Sequence, residues 1–211
     1  MFKKTREELI EFEKHMVDVF KEGVLPFLIH YSGGNENSLI EIFKDINDGD
    51  YIFSTHRSHY HYLLAGGEAS RLEEKIRKGK SMFIFDKKLN FLSSSILAGT
   101  CSIAAGVALS LKLKKSEKTV WCFIGDGAED EGHFYEAVKY VHNLGLPCKF
   151  IIEDNNRSVE SSKEMRGSTK SIVWPDCVMR YHYTPTFPHA GPGLKEMINF
   201  NKQIVENYTD E

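Results

Sequence analysis

The sequence predicts an α/β fold in which a parallel sheet carries helices on both faces. The apolar run at 119–124 is typical of a buried strand. The segment 131–143 is amphipathic at helical spacing, and Gly145 and Pro147 follow it as stop signals. A further apolar strand begins at Lys149. Strand, helix and strand in this order imply a parallel, right-handed crossover, and ligands of such sheets bind at the carboxyl ends of the strands.

The composition is that of a globular chain. Of the 211 residues, 41% are hydrophobic and 27% are charged, which suggests one domain over 1–211 with room for a core. We expect its first part, about 1–48, to be a helical extension. The net charge of −3 comes from interspersed signs, so we expect no nucleic-acid partner. The N-terminus is too polar for a signal peptide, and no apolar run reaches the roughly 18 residues of a membrane span.

The cysteine pattern indicates a reducing compartment. The four cysteines are widely spaced and form no C-x-x-C pair. Two of them, Cys122 and Cys148, fall inside predicted strands, where a reduced cysteine behaves as a small buried hydrophobe. We therefore predict a cytoplasmic protein.

The remaining elements follow from periodicity and from turn residues. Thr5 and Glu8 are spaced as a capping box at the start of an amphipathic helix. Gly66-Gly67 is expected to separate two helices. In chain order we predict a helix over 5–22, a helix over 38–46, a strand over 51–53, two helices within 58–78, a helix over 93–115, a polar loop over 157–172, a strand over 178–185, a turn-rich loop over 187–193 and a helix over 194–208.

The two strand ends that flank the central helix carry the residue types of a metal–diphosphate site. Asp126 lies between Gly125 and Gly127, directly after the first strand. The glycines permit a sharp turn and a close approach to phosphate oxygens. Asp126 offers a carboxylate oxygen, and the pair Asn155-Asn156 after the second strand offers amide oxygens. Such hard oxygen ligands suit Mg2+, which commonly also binds phosphate oxygens.

A simpler interpretation of the Gly-Asp-Gly segment is a tight strand-to-helix turn with an Asx cap. We favour the metal–diphosphate site because the turn, the helix, the Leu-Pro-Cys strand start and the asparagine pair occur together in register. The backbone N–H groups of Gly127 and Ala128 lie at a helix entrance, where they are expected to donate to phosphate.

These motifs resemble a known family. The phrase GDGA-x-x-EG-x-F-x-EA, which begins at Gly125, is similar to the alpha subunits of the two-chain thiamine diphosphate-dependent 2-oxoacid dehydrogenases of pyruvate and branched-chain type. Upstream, DYIFSTHRSHYHYLLAGG resembles a family segment with an aromatic-Arg pair and a nearby histidine. SSSILAGTCSIAAGVAL resembles the segment that reaches the aminopyrimidine. The resemblance covers roughly 45–161 and implies thiamine diphosphate and Mg2+ as cofactors.

The resemblance implies roles for individual residues. The Mg2+ ligands would be Asp126, Asn155 and the backbone carbonyl of Arg157. A shifted register would use Asn156 with the carbonyl of Ser158 instead. At the diphosphate and pyrimidine ends, the matching positions are Arg57 on the diphosphate, His56 in place of the usual aromatic residue before it, Leu97 under the bend of the cofactor, and Ser95 beside the pyrimidine.

The histidines raise separate possibilities. His56, His59 and His61 could suggest a metal cluster, but they lack the cysteine or carboxylate pattern of a zinc site. We expect His59 to face phosphate or substrate, with ordinary packing as the alternative. The chain ends about 55 residues after Asn156 (211 − 156), and the family's Gly-His-Ser histidine does not occur in it. His189 is then a better substitute than His182, so His59 and His189 are the predicted acid/base candidates.

The resemblance also implies a partner. In the family, a glutamate that activates the cofactor comes from a separate pyrimidine-binding domain, and 211 residues have room for only one of the two domains. We therefore expect a subunit that is inactive alone and pairs with a beta-type chain, in an α2β2 assembly. The substrate would be a small 2-oxoacid or a ketose, and a dehydrogenase would also meet a lipoyl-bearing acyltransferase.

Three alternatives stay open at this point. The chain could be the N-terminal half of a split transketolase-like carboligase. It could be a non-catalytic scaffold with the same fold, although Asp126, Asn155 and Arg57 argue against that. A nucleotide-binding domain of another type would need a G-x-G-x-x-G segment or a Walker lysine, and the chain has neither.

Overall fold

A computed structural model of the chain describes residues 4–26, 28–159, 161–170 and 172–187, and the backbone of 189–190. The helices are α1 (Arg6–Lys21), α2 (Glu36–Lys44), α3 (His59–Leu64), α4 (Ala69–Arg77), α5 (Gly99–Leu113), α6 (Gly132–Leu144) and α7 (Lys163–Arg166). The strands are β1 (Ile29–His30), β2 (Tyr51–Ser54), β3 (Phe85–Asp86), β4 (Phe91–Ser93), β5 (Val120–Gly125), β6 (Cys148–Asp154), β7 (Arg157–Ser158), β8 (Ser161–Ser162), β9 (Val178–His182) and β10 (His189–Ala190).

The main sheet has six strands in the order β3-β4-β2-β5-β6-β9. Its pairings are parallel from β4 to β9, and among the described strands of this sheet only the edge strand β3 runs antiparallel to its neighbour. The predicted parallel sheet is therefore confirmed. Because the parallel strands share one direction, the carboxyl ends of β2, β4, β5, β6 and β9 meet at one edge of the sheet.

Helices cover both faces of this sheet, as predicted. Along β5, Cys122 and Ile124 pack into a cluster with residues of α5 and α6. Trp121 and Phe123 belong to a second cluster on the opposite face, with residues of α1 to α4. Successive side chains of a strand point to opposite faces, so this strand contributes to both cores and is apolar throughout.

Most predicted boundaries agree with the structure within a few residues. Thr5 and Glu8 form the predicted capping box of α1, with the Glu8 N–H donating to Thr5 Oγ1 at 3.2 Å. α6 ends at Gly145, whose φ of 54° is left-handed, as a glycine stop requires. The two helices expected between 58 and 78 are α3 and α4. The helix predicted over 194–208 lies outside the described residues.

The helix predicted over 93–115 starts later than expected. Ser93 ends the strand β4 and pairs with Ser54 of β2, and the Ser94 N–H donates to the Ser54 carbonyl. These backbone groups are used by the sheet and are not available to a helix. The chain then turns through Ala98, which has a φ of 51°, and α5 begins at Gly99.

The polar stretch predicted as a loop over 157–172 contains local structure. β7 and β8 form a short hairpin, and the one-turn helix α7 follows. Ser162 caps α7 by accepting from the Met165 N–H at 3.3 Å, and Gly167 ends it at a φ of 72°. Elsewhere β1 pairs with β10, which places His30 opposite His189. Within the described residues, no helix has both the length and the apolar character that crossing a bilayer would require.

Candidate cofactor and metal site

A cleft opens at the carboxyl ends of β2, β4, β5 and β6. It brings together most of the positions that the sequence predicted for a cofactor site. Those that line it are His56, Arg57, Leu97, Gly125, Gly127, Ala128, Asn155 and Arg157. Further lining residues that sequence reasoning missed include Ser54, Ser94, Thr100, Glu153 and Tyr183. Sites in parallel α/β sheets are expected at this edge, because strand ends from distant parts of the chain converge there.

The Gly-Asp-Gly turn forms one wall of the cleft. β5 ends at Gly125, where an added Cβ would meet no atom within 4 Å. At Gly127, by contrast, a Cβ would lie 2.3 Å from Ser158 Oγ and 2.5 Å from Ser158 Cβ. The turn is therefore open toward the cleft at Gly125 and closely packed against β7 at Gly127.

This contrast gives a matched pair of variants. We expect Gly127→Ala to push Ser158 away and to destabilise the chain by about 1–3 kcal/mol, the usual cost of overpacking. Gly125→Ala should leave the free energy of unfolding nearly unchanged, since its methyl group meets open space. Urea unfolding of the two variants beside the wild type measures the difference. Equal stability of both variants would contradict the packing described for Gly127.

Asp126 lies between these two glycines, is only 1% exposed and does not itself line the cleft. Its Oδ2 accepts a hydrogen bond from Arg166 Nη2 at 2.8 Å. Its Oδ1 is buried and has no hydrogen-bond partner among the described residues. Burial raises the pKa of this carboxyl, although Arg166 acts in the opposite direction. A buried acceptor without a partner is costly, so the residue fits a cation at Oδ1.

The two asparagines point to different partners. Asn155 lines the cleft, with Nδ2 donating to the Tyr183 hydroxyl at 3.2 Å and Oδ1 accepting from the Arg157 N–H at 3.0 Å. A second lone pair on that Oδ1 is available to a metal. Asn156 has a φ of 58°, and its Oδ1 accepts from the Lys163 N–H at 3.3 Å. The geometry therefore suits Asn155 better than the alternative Asn156.

Arg57 and His56 lie on the other side of the cleft, directly after β2. The Arg57 guanidinium donates to the Tyr31 carbonyl through Nη1, and the Arg57 N–H donates to Thr55 Oγ1 at 3.1 Å. The ring of His56 packs against His30, with 4.3 Å between the ring centroids. His30 was missed by sequence reasoning because only the tertiary fold brings β1 to this edge.

Leu97 reaches the cleft from the turn before α5. Its side chain is 37% exposed, and that of Ile96 beside it is 69% exposed. The Leu97 carbonyl is held by the ring of His133, at 2.9 Å from Nε2. Ser95 lies between two residues that line the cleft, Ser94 and Ile96, but does not itself line it.

The structure does not bring His59 to the cleft. The side chain is fully buried, with Nδ1 2.8 Å from Glu13 Oε1 and Nε2 2.8 Å from Ser81 Oγ. Both ring nitrogens are therefore engaged, Nδ1 with α1 and Nε2 with the segment that follows α4. The acid/base role predicted for His59 stays a prediction that this geometry does not support, and packing is the better interpretation.

His61 belongs to a separate buried network. Its Nδ1 lies 2.7 Å from Ser54 Oγ, and its Nε2 lies 3.1 Å from Glu153 Oε1. The two histidines of α3 thus have different partners. In the described part of the chain, no group of three or more His, Cys, Asp or Glu side chains could hold a metal ion. The histidine cluster considered from the sequence is therefore not assembled there.

The other predicted histidine cannot be placed in detail. The backbone of His189 pairs with β1, while its side chain lies outside the described residues. His182 lies at the end of β9, with Nδ1 3.2 Å from Asp154 Oδ2. The role predicted for His189 remains a prediction.

Glu153 and Tyr183 are cleft residues that no motif indicated. Glu153 is buried, and its Oε1 is bonded to His61, to Asn35 Nδ2 at 3.2 Å and to the Tyr181 hydroxyl. Loss of hydration raises the pKa of the Tyr183 hydroxyl to about 12, so this group stays protonated at neutral pH. For Tyr183, the sequence indicated only a place in the strand predicted over 178–185. That strand pattern does not show that the residue lines a cleft.

Comparison with known proteins identifies the family of the chain. The family model of the dehydrogenase E1 component matches residues 5–175. The chain belongs to the dehydrogenase E1 component family. The matched segment includes the Gly-Asp-Gly turn, the asparagine pair and the Arg57 region.

Three curated relatives show how far the likeness extends. The alpha subunit of acetoin:2,6-dichlorophenolindophenol oxidoreductase of Bacillus subtilis (strain 168) is 31% identical over 79% of this chain and 53% of its own length. The protein of the same name from Cupriavidus necator is 30% identical over 77% and 52%. The alpha subunit of the pyruvate dehydrogenase E1 component of Rickettsia typhi is 28% identical over 94% and 63%. The chain thus spans between about half and two thirds of these E1-family relatives.

Proposed function

We propose that the chain is the diphosphate-binding alpha subunit of a two-chain enzyme that depends on thiamine diphosphate and Mg2+ and decarboxylates a 2-oxoacid. The observation that carries the proposal is the carboxylate of Asp126. It is buried directly after β5, its Oδ1 has no partner among the described residues, and it lies between two glycines that line the cleft. Family membership supports the same cofactor.

The metal would be held by Asp126 Oδ1, by Asn155 Oδ1 and by the backbone carbonyl of Arg157. The first is a buried acceptor in need of a partner, and the second and third lie at the carboxyl end of the neighbouring strand. One carboxylate with neutral oxygens suits Mg2+, which keeps waters and phosphate oxygens in its remaining positions.

The other residues of the cleft suit the organic cofactor. The Arg57 guanidinium presents a planar set of donors of the kind that binds phosphate. The backbone N–H groups of Gly127 and Ala128 lie at the entrance to the 3-10 turn 128–130, and His56 lies next to Arg57. Leu97 offers an apolar surface under a bent cofactor, with Ser95 nearby. When bound, thiamine diphosphate supplies the electron sink for decarboxylation, and the protein positions it and excludes water.

The activating glutamate is proposed to come from a partner. Glu153 is the glutamate that lines the cleft among the described residues, and its Oε1 already accepts three hydrogen bonds. A beta-type chain with a pyrimidine-binding domain would complete the site, in an α2β2 assembly. The relatives are named alpha subunits, which supports a second kind of chain.

A second candidate substrate is an acyloin. Two relatives carry acetoin in their names, and both are about as similar to this chain as the pyruvate dehydrogenase subunit. For either substrate, thiamine diphosphate would supply the electron sink for cleavage of a carbon–carbon bond next to a carbonyl. A lipoyl-bearing acyltransferase would be a further partner of the 2-oxoacid enzyme.

We also propose a cytoplasmic location, which the four free cysteines support.

Calorimetric titration tests the proposal. We expect thiamine diphosphate with Mg2+ to bind the complex of this chain with its beta-type partner, and to bind more weakly or not at all to the chain alone. Pyruvate and acetoin are then compared as substrates of the complex. No binding of thiamine diphosphate and Mg2+ even with the partner present would refute the proposed function.

A further inference from the structure

The segment 161–167 makes polar contacts with residues in and around the Gly-Asp-Gly turn. Its helix α7 has no buried residue, and Met165 is 75% exposed. The side chains of Arg166 and Lys163 are less exposed, at 15% and 18%. Lys163 pairs with Asp154, and Arg166 provides the contact between the segment and Asp126.

All three nitrogens of the Arg166 guanidinium are hydrogen-bonded. Nη2 donates to Asp126 Oδ2 at 2.8 Å, and Nε donates to Asp130 Oδ2 at 2.9 Å. Nη1 donates to the Ser161 carbonyl at 2.6 Å. A planar fork with partners in three directions has little freedom to move, so it also restricts the carboxylate that it holds.

The consequence is an asymmetric carboxylate. One oxygen of Asp126 is bound by Arg166, and the other is buried without a partner among the described residues. Rotation of the carboxylate would break the bond to Nη2, so Arg166 also restricts the orientation of Oδ1. Removing a group that hydrogen-bonds to a metal ligand often lowers metal affinity by about 10–100-fold.

We infer that Arg166 is a positioning residue for the metal ligand Asp126, and that it couples the docking of segment 161–167 to metal affinity. The inference rests on the proposed function, because it takes Asp126 as a Mg2+ ligand. Simple electrostatics predicts the opposite effect: removing a cation next to a metal site should strengthen Mg2+ binding. The sign of the change therefore separates positioning from charge.

The test uses the complex with the beta-type partner, saturated with thiamine diphosphate, and titrates Mg2+ by calorimetry. We expect Arg166→Ala to raise the dissociation constant of Mg2+ by about 10–100-fold. Arg166→Lys keeps the charge without the planar fork, and should fall between the alanine variant and the wild type. If the alanine variant does not fold, the dissociation constant of Mg2+ for Arg166→Lys tests the inference by itself. Lys170→Ala is the control, because Lys170 lines the neighbouring groove with Asp130 and its replacement removes a charge of the same sign.

Hydrogen exchange of segment 161–167 in the metal-free complex gives a second readout, and it should be faster in Arg166→Ala. Faster exchange with an unchanged or lower dissociation constant of Mg2+ would mean that Arg166 stabilises the segment without affecting the metal site. That result would overturn the inference. If the wild type binds no Mg2+, the proposed site fails and the inference fails with it. If the wild type binds and Arg166→Ala binds equally, only the inference fails.

Discussion

Asp126→Ala is expected to weaken Mg2+-dependent binding of thiamine diphosphate by more than about 100-fold, because even groups behind a metal ligand contribute about 10–100-fold. The buried Oδ1, which has no partner among the described residues, is the atom that a cation would use. The fold should be retained, since Arg166 keeps its bonds to Asp130 and to the Ser161 carbonyl. Calorimetric titration of the complex with Mg2+ and thiamine diphosphate measures the loss, and circular dichroism checks the fold.

Two further variants calibrate this result. Asp126→Asn keeps the shape and one carbonyl oxygen, so it should bind more strongly than the alanine variant and more weakly than the wild type. Asp176→Ala removes an exposed carboxylate outside the cleft and should bind as the wild type does. Undiminished binding by Asp126→Ala would refute the assignment of this residue to the metal.

His59→Ala is expected to destabilise the chain by at least about 1–3 kcal/mol, the usual cost of leaving a buried polar group without its hydrogen-bond partner. Glu13 would be left at 0% exposure, with its Oε2 already lacking a hydrogen-bond partner among the described residues. Only the Ser32 N–H, at 2.7 Å from Oε1, would remain as a described hydrogen bond to this carboxylate. Urea unfolding measures the effect, and Glu13→Gln in the same background should recover part of it.

The chain contains a matched control for this prediction. His15 and Glu73 form another His–Glu pair at 3.1 Å, but the His15 side chain is 53% exposed. His15→Ala should therefore cost no more than about 1 kcal/mol. A His59→Ala variant that kept its stability and lost turnover would instead favour the acid/base role predicted from the sequence.

The β5–α6–β6 unit could be predicted because its signals are local. The apolar strands, the amphipathic helix and the stop at Gly145 all fall between residues 119 and 154. The carboxyl ends of two neighbouring parallel strands must lie at the same edge of the sheet, so the sequence alone was enough to expect Asp126 and Asn155 together. The strand β4 was missed because its three residues gain their stability from the neighbouring strand β2, which is distant in sequence.

Side-chain direction could not be predicted in the same way. His59 and His61 are two residues apart on a helix, at about 100° per residue, so they point to nearly opposite sides. One meets Glu13 of α1 and the other meets Glu153 of β6. Which side faces the cleft depends on how α3 packs against both elements.

The sequence by itself determined the fold class, the central strand–helix–strand unit, and the residue types placed at its two strand ends. It could do so because hydrophobic period and turn chemistry act over a few residues. The tertiary structure alone decided that His59 is turned into the core, that His30 packs against His56, and that Arg166 holds one oxygen of Asp126. These contacts join residues 26–46 positions apart, and they form only when separate elements pack.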